Sequence, residues 1–258
     1  MRVVRRPDIA EAVLRAASKR HSAGSAPVRT GYVSRGNATS QIKELTLCLI
    51  KAWGKRQDRY KALLTGDEGF ETSIKVQVGN AMGEYMNPDE EERVEIQQTR
   101  QVLSGRIDLP WEGIPGELKM TWFSKPPEPD AVPSTHAQYV EQVAGYLVAK
   151  RQMQNLNHPF YAANLFVGYL GGYAPQFVCW QLTFSPSELD TWQDELLSRD
   201  RVVNGDAIPS IEDHWGFECG GKDWSCPLHS RAGGFCPGGK GRNGGFFGID
   251  LIDKRQGG

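Results

Sequence analysis

Two carboxylates and a lysine set close together in mid-chain, Asp108 and then Glu117-Leu118-Lys119, constrain this sequence more than any other feature. Residues 102–109 and 116–122 read as two short strands, and Pro110, Gly113, Pro115 and Gly116 punctuate the join between them. Side chains alternate along a strand, so Glu117 and Lys119 share one face. A hairpin would bring Asp108 to the same edge. Clustered carboxylate oxygens suit a hard divalent cation. A neighbouring ammonium suits a phosphate or an attacking hydroxide. A surface hairpin carrying a salt bridge also fits the pattern.

Downstream, residues 139–146 read as helix, and Gln142 and Tyr146 fall four apart on one helix face. Taken alone, Tyr146 fits a core aromatic and Gln142 an exposed helix former. Taken together, Gly105-Arg106-Ile107-Asp108, Glu117-Leu118-Lys119 and Gln142-x-x-x-Tyr146 resemble the PD-(D/E)XK nucleases of the RecB-like exonuclease branch. The resemblance spans residues 39–236. It implies an α/β fold, a mixed central sheet flanked by helices around a restriction-endonuclease-like core. It also implies magnesium or manganese held by Asp108, Glu117 and the Leu118 carbonyl, Lys119 positioning water, and Gln142 and Tyr146 orienting DNA or the active site. That family usually has Gly-x-x-x-His on the preceding helix. Here Gly79 matches but Gly83 stands at the histidine position, with Glu84 beside it as a substitute ligand or as an ordinary exposed residue.

The net charge of −1 gives the chain no general attraction to nucleic acid, so any DNA path needs local basic patches. No apolar run approaches membrane-spanning length, and a cytoplasmic location without membrane contact is the expectation. Residues 8–20 read as an amphipathic helix with Ile9, Ala12, Val13 and Ala16 on one stripe and arginines around it. Residues 21–37 are rich in Ser, Gly and Arg and read as a linker, so residues 1–38 form an N-terminal basic helix and linker. The main domain is then 39–237, and 238–258 is a Gly-rich tail. Thr39 or Ser40 should cap a long helix carrying Ile42, Leu45, Leu49 and Trp53. Residues 93–98 read as a strand. Residues 125–133, with Pro126, Pro127, Pro129 and Pro133, read as a loop, and Ser134 as the cap of the helix bearing Gln142. Two strands, 161–170 and 176–184, should form a hairpin at Gly171-Gly172, and a helix should start at Ser185-Pro186 and run through Leu197.

Five cysteines in a chain of 258 residues do not suggest a disulfide scaffold. Cys179 reads as core. Cys219, Cys226 and Cys236 lie in a Gly-rich stretch with six and nine residues between them. Zinc completed by His214 or His229 is open to these thiols, although zinc prefers closer pairs. Some RecB-like nucleases carry a [4Fe-4S] cluster on one early and three late cysteines. The resemblance therefore implies Cys48, Cys219, Cys226 and Cys236 as an iron–sulfur clip joining the N- and C-terminal parts.

The expected function is that of a metal-dependent DNA nuclease, an exonuclease on single-stranded DNA ends. The resemblance places it in CRISPR adaptation, with CRISPR integration proteins as partners, or in phage recombination and repair. The alternatives are a catalytically weak DNA-binding partner with a nuclease-like core and a zinc-clipped structural protein.

Overall fold

A computed structural model describes residues 1–22, 38–46, 48–57, 78, 81–86 and 92–209. Cys219, Cys226, Cys236, His214, His229, Gly79 and the Gly-rich tail lie outside the described residues. The fold is mixed α/β, with two mixed sheets flanked by helices.

The larger sheet has four strands. β1 (Arg2–Arg5) pairs antiparallel with the strand Gln176–Phe184, which pairs antiparallel with Tyr161–Tyr169, which in turn runs parallel to Gly116–Thr121. The smaller sheet has three. β2 (Ser40–Gln41) runs parallel to Gln101–Ile107, and that strand pairs antiparallel with Glu92–Gln98. In chain order Glu92–Gln98 is β3, Gln101–Ile107 is β4, Gly116–Thr121 is β5, Tyr161–Tyr169 is β6 and Gln176–Phe184 is β7.

The helices are α1 (Pro7–Ser22), α2 (Ile42–Leu45), α3 (Leu49–Gly54), α4 (Val132–Thr135), α5 (Ala137–Met153) and α6 (Pro186–Val203). Parallel strands need a crossover, and α5 supplies the one between β5 and β6. It is buried on nearly every side, from Val140 and Val143 through Gly145 and Tyr146 to Val148, as a helix enclosed by other elements must be.

Strand alternation sends the two faces of the larger sheet to two cores. Leu165, Val167, Trp180, Leu182 and Phe184 join the main core with α5 and α6. Phe166 and Cys179 face the other way, with Ile9, Val13 and Ala17 of α1 and with Leu109, Leu118 and Met86. Cys179 is core, as expected. The apolar stripe of α1 is Ile9, Ala10, Val13 and Ala17, one position away from the expected Ala12 and Ala16. Three of these four sit four residues apart, which keeps them on the line that meets β7.

Five other expectations are corrected. The basic N-terminal residues add an edge strand to the sheet, because Val3 and Val4 can continue the β7 ladder. The long helix from residue 40 is absent: Ser40 and Gln41 pair with Leu103 and Ser104, and two short helices follow. The Glu44 carboxylate accepts from the Gln41 N–H, so the cap lies one residue later. The proline-rich stretch forms a 3₁₀ turn at Pro129–Ala131 and then α4, since proline fits the first positions of a helical turn. Ser134 lies inside α4, and His136 occupies the N-cap position of α5. α6 starts as expected, with Ser185 accepting from Glu188, and extends to Val203.

Among the described residues no helix is long and apolar enough to cross a membrane.

Candidate active site

The expected hairpin between β4 and β5 does not form: the two strands belong to different sheets. The intervening residues fold on themselves through a bridge between Trp111 and Ile114. Glu112 and Gly113 take positive φ values of 51° and 80° at its tip. Two polar contacts tie the strand ends together. The Leu109 N–H donates to the Gly116 carbonyl at 3.1 Å, and the Leu118 N–H donates to Asp108 Oδ2 at 3.2 Å. Asp108 therefore reaches β5 through its side chain, where a ladder would have used its backbone.

The three residues nevertheless meet. The Lys119 ammonium pairs with Glu117 Oε1 and lies 3.8 Å from Asp108 Oδ2. Glu117 is fully buried, whereas the Asp108 and Lys119 side chains are each 28% exposed. From within the core the Tyr146 hydroxyl donates to Glu117 Oε2 at 2.8 Å, and Gln142 Nε2 donates to that hydroxyl at 2.6 Å. The helical spacing of Gln142 and Tyr146 thus builds a relay onto the buried carboxylate. It uses the two residues that could otherwise have been a core aromatic and a surface amide.

Glycine makes room for this relay. A Cβ on Gly105 of β4 would sit 2.8 Å from Tyr146 Cε1 and 3.0 Å from Ile42 Cδ1. Real Cβ atoms do not approach that closely, so any larger residue displaces the ring.

Burial pushes the Glu117 carboxyl up to about 8. The Asp108 charge adds to the shift, while Lys119 and the Tyr146 hydrogen bond oppose it. Burial disfavours the Lys119 charge, but Glu117 and Asp108 outweigh it and hold its pKa above the ordinary lysine value.

The cleft over these groups has a volume of about 90 Å³. Besides the expected Asp108, Glu117, Lys119, Gln142 and Tyr146, its lining includes Lys43, Arg93 and Arg106. Four cations thus surround two carboxylates in a chain whose net charge is −1. Arg93 and Arg106 are direct cross-strand partners. Like charges directly opposite each other destabilise a sheet pair. Arg93 is offset by Glu95, whose Oε1 accepts from its Nη2 at 2.7 Å. Alternation alone could have found Arg106, two residues before Asp108 on the same strand face. Lys43 and Arg93 carry no such signal, because they reach the cleft only through the packing of α2 and β3.

Glu84 is placed elsewhere. It is exposed on the helical residues 81–86 and is not part of the cleft lining. Met82 and Met86 of that segment do pack with Leu109 and Leu118, behind the carboxylates. Cys48 is buried at the N-cap position of α3.

The donor set suits a hard cation. Glu117 Oε1 is buried and pairs with the Lys119 ammonium, which draws it toward the cleft. Asp108 is partly open to the cleft. Among the described residues no group of three or more His, Cys, Asp or Glu side chains converges as a metal cage. Two carboxylates completed by a carbonyl and water suit magnesium, which keeps several waters.

No family model matches the chain, and no curated protein matches it. Among solved structures the chain is similar to one described as the crystal structure of SSO0001. The match has 12% identity and a TM-score of 0.40, and covers 78% of this chain and 98% of that one. A likeness at that level carries no argument about fold or function.

Proposed function

We propose that this protein is a metal-dependent DNA nuclease with a restriction-endonuclease-like core. The observation that carries the proposal is the meeting of Asp108, Glu117 and Lys119 at one cleft, with Tyr146 and Gln142 behind the buried carboxylate. Asp108, Glu117 and the Leu118 carbonyl would hold magnesium or manganese. Bound there, the ion supplies Lewis acidity toward a phosphate oxygen and lowers the pKa of a bound water.

The rest of the work belongs to the protein. Tyr146 and Gln142 fix the Glu117 carboxylate in a single orientation. Lys119 sits between both carboxylates, where it can position a water and stabilise negative charge on phosphate. Lys43, Arg93 and Arg106 hold the flanking backbone of the nucleic acid. The reading extends to an exonuclease on single-stranded ends, and to an iron–sulfur clip on Cys48, Cys219, Cys226 and Cys236.

The test is a nuclease assay on end-labelled single-stranded DNA with magnesium or manganese, run beside the visible spectrum. Release of labelled nucleotides that Asp108→Ala abolishes supports the nuclease. Binding without release in either metal points to a DNA-binding partner with a silent core, a reading favoured by Gly83 and by the exposed Glu84. A brown protein with broad visible absorption supports the cluster, and a colourless one containing zinc replaces it.

A further inference from the structure

The segment just beyond β5 carries exposed aromatic side chains. Trp122 and Phe123 are 52% and 58% exposed, and Tyr173 stands fully in solvent. The turn after β6 holds this segment in place. The Leu170 N–H donates to the Thr121 carbonyl at 2.8 Å, and the Gly171 N–H donates to the Phe123 carbonyl at 3.2 Å. Any side chain at 171 would strike the Trp122 carbonyl, so glycine is what lets the turn lie so close.

Phe123 is also connected inward. Its ring stacks on His136 at 6.4 Å with an interplanar angle of 22°, and His136 stacks on Tyr139 at 5.8 Å and 30°. The Lys119 ammonium lies 5.7 Å from the centre of the Tyr139 ring. His136 Nε2 and the Tyr169 hydroxyl are 2.6 Å apart, which fixes the middle ring. Rings therefore run without a break from the lysine in the cleft to an exposed face. Lys119 and Thr121 share one face of β5, and Phe123 lies two residues beyond its end; four residues of extended chain span about 13 Å.

We propose that Phe123, backed by His136 and Tyr139, is a stacking platform for an unpaired nucleobase of the strand whose phosphate lies at Lys119. This inference rests on the proposed nuclease site and assigns the residue that would hold a base of its single-stranded substrate. The charge of the cleft argues for this occupant. Lys43, Arg93, Arg106 and Lys119 line a path for a polyanion, and the aromatic run begins at one of those cations. A single strand offers an open π-face to such a ring, and each stacked base contributes substantially to affinity. A duplex keeps its bases stacked on each other and has no face to give.

The test is fluorescence anisotropy in chelator, so that nothing is cut. The probes are a labelled oligothymidylate, an abasic strand of equal length and a duplex. The parent should bind oligothymidylate more tightly than the abasic strand. Phe123→Ala should weaken oligothymidylate binding on the order of tenfold while changing abasic binding less than twofold. Phe123→Leu, apolar but without a ring, should behave like alanine, and Phe123→Tyr should restore binding. Equal parent affinity for the normal and abasic strands overturns the platform. So does a dimer that Phe123→Ala abolishes, which would make the patch a contact between copies. Release of nucleotides with magnesium or manganese is read separately. Base-dependent binding without cleavage keeps the platform and removes the nuclease.

Discussion

The helix α5 lies between two buried carboxylate–cation pairs, and they are built for different ends. Glu141 and Arg199 form the first, with Arg199 Nη1 3.1 Å from Glu141 Oε2. The pair is sealed: the side chains are 0% and 4% exposed, and Arg199 also donates to the Leu45 carbonyl and lies over Trp192 at 4.8 Å. Glu117 and Lys119 form the second. Here the carboxylate is just as buried, but its lysine opens to the cleft and shares a second carboxylate, Asp108. Arginine offers a rigid fork that can saturate its partners, whereas lysine is a point charge on a flexible stem. The first pair latches α5 to α6 and the α2 region. The second leaves capacity for another ligand. Burial of charge is common to both pairs; the side left open is what separates the second from the first.

Four kinds of change, five substitutions in all, would break or sharpen this contrast. Glu141→Ala strands the Arg199 charge and should lower unfolding free energy by about 3 kcal/mol, the lower end for a broken buried pair because Glu195 and the Leu45 carbonyl remain. Urea denaturation measures it, and cleavage per folded molecule should hardly move. Asp108→Ala should do the reverse, cutting nucleotide release on the order of a hundredfold or more while the urea midpoint shifts little. Lys119→Ala should cut release as strongly and also lower the urea midpoint, because it leaves the buried Glu117 without its cation; parent-like activity in either variant removes the site.

Gly105→Ala pushes the Tyr146 ring off β4. A strain of roughly 1–3 kcal/mol is expected, together with reduced activity, since the relay to Glu117 is displaced. If stability falls while activity per folded molecule stays at the parent value, the relay has no functional part.

The fourth change concerns pH and His136. Burial lowers its pKa to about 4 from an ordinary 6.5. The unfolded chain takes up the proton first, so the contribution of neutral His136 is complete above pH 6.5 and is lost as pH falls toward 4. The slope is about 1.4 kcal/mol per pH unit in that window. Comparing the urea midpoints of parent and His136→Phe across pH 4–7 checks the sign: the slope should flatten in the variant.

Local periodicity made part of this molecule legible. Glu117 and Lys119 share a face because strands alternate, and Gln142 and Tyr146 meet because helices repeat. Strands β6 and β7 announced themselves through aromatic and β-branched residues around Gly171-Gly172. What escaped the sequence was set by distant partners. Arg2–Arg5 became a strand only because β7 had a free edge. Glu141 found Arg199 far along the chain. Ser40 went into a ladder with Leu103, where its local pattern had suggested a helix cap. The role of Gly105 was hidden for the same reason, since nothing near it in sequence mentions Tyr146.

The division of the strands into two sheets has a mechanical consequence. Asp108 ends one sheet and Glu117 stands in the other, so the spacing between the two carboxylates is a tertiary distance. A continuous ladder would clamp that spacing with a row of backbone bonds. Here the seam is spanned by the Leu109–Gly116 and Leu118–Asp108 hydrogen bonds, each worth about 1 kcal/mol, and by the Lys119–Asp108 ion pair. A seam held this way should yield more easily than a continuous ladder. A substitution beside it, even one that touches neither carboxylate, will change the gauge between them before it changes whether the protein folds.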